Sequence, residues 1–385
     1  MSALPVSSFD DDIASELLGP FRFLIKFTLL DCSAKSKCLK VFTILLSMVI
    51  IVLLFARVGQ LMETKGNSLS FAWAESNFFG FPAIFACVSA LCVFGWTKNG
   101  FIPKFIQKLA RVRMLRLESN SKLDSYRLMQ VLALIFSIPW LLAMMSWIVY
   151  NFTHNKIYYG GEDTNIFFRV ILVVSNFYIW YISTICLAIY VLVILAVTRE
   201  VDYFNQELKR AKEDRLLKNI GALEKFDFRQ NQILEMILLA NGSLSSFSTF
   251  APLFLFYALA NGVYLTSFMD SVPLFYFVIL MFNLAAVIIY NAFILFPTCA
   301  LQEHLTATNV ILINNDEFEC SKDPIVYQTY RIMVDRLQKV DTRMAVIGAF
   351  PITRNFLAAA SFIVPNLGFL LAMVKKVLIA NGGHV

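Results

Sequence analysis

Seven stretches of this chain run apolar for roughly twenty residues or more, enough at about 1.5 Å per residue to cross a hydrocarbon layer of about 30 Å as helices. They lie at Val41–Met62, Phe71–Trp96, Leu128–Asn151, Ile166–Val197, Leu244–Phe268, Pro273–Leu301 and Met344–Val374. None shows the ten-residue alternation of an outer-membrane barrel strand. A backbone in lipid must satisfy its own hydrogen bonds, so these stretches read as helices. The composition agrees: 58% hydrophobic, 16% charged, with a mean hydropathy of +0.66. The start, MSALPVSSFDDDIASELL, is acidic and lacks the basic-then-apolar order of a secretory signal, so it is expected to be retained.

Charge sets the orientation. With the amino terminus inside, 26 Lys and Arg residues fall on the cytoplasmic side and 5 outside, counting Arg57 with the loop after span one; Arg169 and Arg354 lie inside spans. Such a split follows the positive-inside rule. The expected fold is therefore an all-α integral membrane protein with seven transmembrane helices, a cytoplasmic amino terminus, an extracellular carboxyl terminus and cytoplasmic helical extensions. Residues 1–40 form a cytoplasmic amino-terminal segment and 41–301 carry spans one to six with their cytoplasmic loops. Residues 302–343 form a cytoplasmic anchor helix region, and 344–385 the last span and extracellular end. The sequon Asn151-Phe152-Thr153 lies outside in this topology and is a candidate glycosylation site. None of the seven cysteines falls in an outside loop, which leaves no extracellular disulfide to form.

The long inside segments are amphipathic. Between spans four and five, Leu208, Leu216, Leu217, Leu223, Ile233, Leu234 and Ile237 punctuate charged sequence, predicting two helices that extend the spans. Before span seven, Val326, Tyr330, Met333, Leu337 and Val340 recur at heptad spacing. That seam fits a helix packing on its own subunit or an intersubunit anchor beneath the membrane.

No phosphate-binding loop, dinucleotide fingerprint, zinc-protease pair or CxxC occurs, and the three histidines, His154, His304 and His384, are scattered. The chain reads as a non-enzyme with no cofactor, no metal and no nucleic-acid partner. A proton-coupled transporter would place paired carboxylates inside its spans, whereas Glu75 is the one acidic residue clearly within a span, expected near the outer water interface. An interfacial pair of Glu75 with Arg169 is the alternative to water exposure of both. A heptahelical receptor coupled to G proteins would have the opposite orientation, and VYNFTH and VPNLGFLL lack its third- and seventh-span patterns.

The ending VDTRMAVIGAFPITRNFLAAASFIVPNLGFLLAMV resembles the terminal segment of the insect gustatory and odorant receptor superfamily, including its nematode relatives. Gly348, Phe350, Thr353 and Arg354 match that family's turn and basic pair, while Asn366, Leu367, Met373 and Val374 stand where its terminal Thr-Tyr and Gln-Phe would be. The resemblance implies a plasma-membrane chemosensory channel: four subunits, as a homotetramer or with a related co-receptor, opened to cations by a small organic ligand. A non-conducting scaffold or accessory subunit of the same fold is the competing reading.

The resemblance assigns roles to residues. Phe362, Asn366, Phe369, Leu370 and Met373 fall on one face of span seven and would line the pore, the apolar ones closing it by dewetting. Lys375 and Lys376 stand at its outer mouth, where they would repel cations unless they turn aside. Gly348, Phe350, Pro351 and Arg354 would form the joint between anchor and pore helix, with Arg354 one to two turns into the span. A ligand pocket in the outer halves of spans two to six would draw on Trp73, Trp147, Tyr150, Asn176, Phe177, Tyr178, Tyr264, Tyr276 and Asn283. Aromatic rings favour headgroup depth for generic reasons, which is the competing account of each.

Overall fold

The structure, a computed structural model, describes residues 6–32, 36–62, 69–117, 125–153, 166–271, 273–314, 323–346 and 349–380. The order is α1 (Val6–Leu18), α2 (Phe21–Leu24), α3 (Lys37–Met62), α4 (Phe71–Lys98), α5 (Phe101–Met114), α6 (Arg127–Thr153), α7 (Ile166–Glu213), α8 (Ile220–Leu265), α9 (Leu274–Ile313), α10 (Pro324–Lys339), β1 (Ala345–Val346), β2 (Phe350–Pro351) and α11 (Arg354–Ala380). Helices α3, α4, α6, α7, α8, α9 and α11 are the seven long and apolar enough to span a membrane.

Caps and turns in the sequence set several boundaries. Ser70 Oγ accepts from Trp73 N at 3.2 Å to start α4, and Asn219 Oδ1 accepts from Gly221 N at 2.9 Å to start α8. Asp323 caps α10 through Ile325 N at 2.9 Å, with Pro324 in the first turn, where its missing N–H costs nothing. Gly100, at φ +63°, takes the left-handed conformation that turns the chain from α4 into α5. Pro82, Pro139, Pro252, Pro297 and Pro365 lie inside spanning helices, where neighbouring helices can re-satisfy freed carbonyls.

Helices α7, α8 and α9, with 48, 46 and 40 residues, reach about 60 to 72 Å. That is at least twice the hydrocarbon thickness. Their surplus forms a second, charged storey at one end of the bundle, joined by α1, α5 and α10. The two expected extensions are thus continuous with their spans, turned by Arg215 at φ 56° and the 3-10 turn Leu216–Lys218.

The core runs through α4, α7, α8 and α9. Helices α3 and α11 are the most exposed, with Val52, Leu53 and Phe55 on α3 turned outward. The amino-terminal chain doubles back onto the bundle. Tyr181 and Tyr178 of α7 donate to the Leu24 and Thr28 carbonyls, both at 2.7 Å, and Ser47 of α3 donates to the Leu29 carbonyl at 3.2 Å.

One expected boundary is corrected. The last helix starts at Arg354, ten residues after Met344, and the intervening chain is a two-stranded antiparallel pair with Val346 opposite Phe350 and Ala345 opposite Pro351. Val346, Ile352 and Thr353 are β-branched, and Pro351 lacks the N–H that a helix interior needs. Thr353 Oγ1 then accepts from Phe356 N at 3.3 Å and starts the helix afresh.

Candidate functional site

Helix α11 meets its own chain along one side, chiefly on α8. The closest approach is at Gly368, where a Cβ would stand 2.5 Å from the Ala260 carbonyl oxygen and 2.7 Å from Val263 Cβ. Val364 is buried on that side, and Phe356 packs on Phe256 at 6.2 Å. The opposite face holds all five residues assigned to a pore. Phe362, Phe369, Leu370 and Met373 are 72, 56, 54 and 64% exposed. Asn366 is exposed too, its amide donating to the Phe362 carbonyl of its own helix at 2.6 Å. Lys375 turns its Nζ back over the Phe268 ring, 3.1 Å from the centroid, so its charge is spent on a cation–π contact within the subunit.

Below that face lies the joint. Arg354 is the first residue of α11, not one or two turns in, and pairs with Glu303 of α9: Nη2 donates to Oε2 at 2.8 Å while Nε meets Oε1. Phe350 is exposed, Pro351 half-buried and Ile352 fully buried. Gly348 falls outside the described residues. A polar cavity of about 670 Å³ opens beside the hairpin, lined among others by Gln302, Asn309, Asp341, Thr342 and Pro351.

The heptad seam closes within the chain. Val326 and Met333 are buried against α8 and α9, with Tyr330 and Leu337 packed on the same core. Val340 lies one residue past the end of α10, in extended conformation. Of the two readings that the spacing allows, packing on its own subunit is what the seam does within the chain, and Ile325, Tyr327 and Ile332 are the large apolar side chains that α10 leaves exposed.

At the far end of the bundle the rings assigned to a ligand pocket divide. Trp73 sits edge-on to Tyr264 at 6.2 Å, and Phe268 joins Tyr264 to Phe71, which lies against Tyr276 at 5.6 Å. Tyr276 contacts Tyr150 at 5.3 Å and Phe79 at 6.2 Å, and Phe79 stacks on Trp147 at 4.8 Å. Asn283 fixes α9 to α6 through the Ala143 carbonyl at 3.1 Å. Phe177 is left out, half exposed beside Trp180; Tyr178 bonds the amino-terminal chain, and Asn176 donates to Leu172 of its own helix. Glu75, expected in water, is 1% exposed, a correction that follows from α4 being a central helix. The side chains of Arg169 and Asn151 lie outside the described residues.

Two clusters escaped the sequence. The aromatic column continues inward: Trp140 stacks on Tyr290 at 4.0 Å, flanked by Phe81 at 5.3 Å from Trp140 and Phe85 at 5.9 Å from Tyr290. Trp140 Nε1 and Ser183 Oγ are buried without a hydrogen-bond partner among the described residues. A cavity of about 10 Å³ touches Tyr290, Ser137 and Thr184, room for about one water. A drug-sized guest there needs the rings to part.

The second cluster is ionic and lies in the charged storey. Arg113 of α5, fully buried, reaches Glu200 of α7 at 3.4 Å, Glu16 of α1 at 3.1 Å and the Tyr126 hydroxyl at 3.3 Å. Arg116 also binds Glu200, with Nε at 3.2 Å from Oε2, and Arg229 of α8 pairs with Glu207. Three cations face three anions, so the buried charge balances. Single-sequence patterning offers no signal for this, since isolated Glu and Arg in charged segments read as solvated.

The profile described as "Caenorhabditis protein of unknown function, DUF267" matches residues 17–368. No curated protein matches the chain in sequence. Among solved structures, the olfactory receptor OR5 of the insect Machilis hrabei superposes with a TM-score of 0.62 at 12% identity, covering 92% of this chain and all of that one. The same receptor in complex with eugenol gives 0.60 at 12%, over 93% and 100%. At that identity the likeness is one of fold, and the whole seven-helix architecture is shared. The chain belongs to the Caenorhabditis DUF267 family and has the fold of an insect olfactory receptor.

Proposed function

We propose that this protein is a chemosensory receptor of the gustatory and odorant type, a tetrameric plasma-membrane channel that a small organic ligand opens to cations. The observation that carries the reading is α11. A helix whose Phe362, Asn366, Phe369, Leu370 and Met373 all face away from its own subunit needs other surroundings for that face, and copies around an axis would supply them. In that assembly Asn366 gives ions a polar ring, and Phe369, Leu370 and Met373 close the path by dewetting.

The charge split supports placing the storey of α1, α5 and α10 in the cytoplasm and the end of α11 outside. The ligand enters the aromatic column, parting rings between Trp147–Phe79 and Trp140–Tyr290. Trp140 Nε1, a donor, suits a guest that carries an acceptor. Displacement of α9 reaches α11 through Glu303 and Arg354.

Currents from cells carrying the protein, under a panel of sugars, bitter compounds and volatiles, test the reading, with tags at each end to report topology. A ligand-evoked cation current with an external carboxyl terminus is expected. Surface tetramers silent to the whole panel would favour the non-conducting scaffold, and an internal carboxyl terminus would sink the channel.

A further inference from the structure

Where α4 and α8 enter the charged storey, they part around a groove of about 370 Å³. Two glycines floor it, Gly95 on α4 and Gly242 on α8, and a Cβ built on either meets no atom within 4 Å. Leu91 and Phe250 wall it, 45 and 48% exposed, so it opens sideways onto the bundle surface. Its other end is polar but uncharged, with Asn99 exposed there, while Ser246, one turn from Ser243 toward Phe250, is exposed along its side. Trp96 Nε1 donates to the Ser243 carbonyl at 2.8 Å and pins the two helices at that level.

We propose that this groove binds a sterol-like lipid, a neutral amphiphile with one hydroxyl at the end of a flat, rigid apolar body. The volume lies in the range of about 300 to 1,000 Å³ usual for small-molecule sites. A phosphate headgroup would call for Lys or Arg, and none lines the groove among the described residues, whereas an amide and serine hydroxyls suit a single hydroxyl. A floor without Cβ atoms lets the face of a fused-ring system lie close to both backbones. The polarity gradient also has the right depth: the groove passes from Val88 and Leu91 to Asn99 beside Lys98, as the membrane interface does.

The test is photolabelling of the full-length protein in phosphatidylcholine nanodiscs with a photoreactive, alkyne-tagged cholesterol. Label is expected on peptides covering residues 88–101 and 242–250, displaced by unlabelled cholesterol and not by added phosphatidylcholine. Gly95→Leu with Gly242→Leu fills the groove into open space, and labelling should fall about tenfold, the factor that some 1.4 kcal/mol of lost fit represents. Gly59→Leu, at an equally open glycine on α3, should label as the unmodified protein does. If the double variant does not give monodisperse protein, Asn99→Leu removes the polar end at an exposed position and should lower labelling likewise. Undiminished labelling of these variants overturns the proposal. So does equal competition by phosphatidylcholine, which marks an acyl-chain groove, or loss of label on oligomerisation, which marks a contact between copies.

Discussion

Replacing Gly368 by alanine acts on one helix crossing, where the tightest approach is to α8 backbone. The new Cβ would sit 2.5 Å from the Ala260 carbonyl oxygen, which belongs to the backbone of α8 and cannot rotate aside. Carbon–oxygen contacts of this kind settle near 3.3 Å, so α11 must move away by about 0.8 Å at the crossing. Overpacking of this sort costs about 1–3 kcal/mol, and the helical preference of alanine over glycine returns about 1. The net, on the order of 1 kcal/mol, is a factor of about five in the docking equilibrium of α11. Hydrogen–deuterium exchange of detergent-solubilised protein is the assay: amides of residues 364–372 should exchange faster by about that factor while α7 stays unchanged. Gly59→Ala, whose Cβ meets nothing within 4 Å, is the control and should leave α11 as it was. Protection of α11 equal to or above that of the unmodified protein would refute the reasoning.

Other consequences follow from single side chains. Arg113→Met leaves Glu200 and Glu16 facing less positive charge in a buried site, so it should cost about 3–5 kcal/mol, read as lower thermal stability. Arg113→Lys should recover little of that, because an ammonium does not reproduce the guanidinium fork that serves three acceptors. The Arg354 side chain is 80% exposed and that of Glu303 40%, so Arg354→Leu should change stability by no more than about 1 kcal/mol yet disturb gating; Arg354→Glu with Glu303→Arg should restore the currents. Phe369→Ala with Met373→Ala widens the proposed constriction and should raise basal conductance, whereas Ile379→Ala near the end of the helix should not.

The spans were legible because hydrophobic length is a property of the chain alone. All seven appear, and the charge pattern announced the extensions of α7 and α8. Residues 344–346 and 349–353 continue the hydropathy of the span and so fall inside its expected bounds, while the β-branched residues and Pro351 that break the helix weigh little in an average. The exposed face of α11 was readable from spacing. The use of the heptad seam was not, since spacing says that a face is apolar and is silent on which partner covers it. Glu75, Trp140 and the Arg113–Glu200 cluster depend on contacts between residues tens of positions apart, which no local pattern encodes.

Cysteine accessibility along α11 bears most directly on the central claim. Asn366→Cys and Met373→Cys should react with a charged, water-soluble thiosulfonate applied to membranes carrying the protein, because thiols react as thiolates and need water. Val52→Cys on the exposed face of α3 should stay unreactive in lipid. Reaction at both α11 positions well above the Val52→Cys rate is what a water-lined path predicts; rates as low as that of Val52→Cys would mean that this face looks onto lipid and that α11 lines no pore.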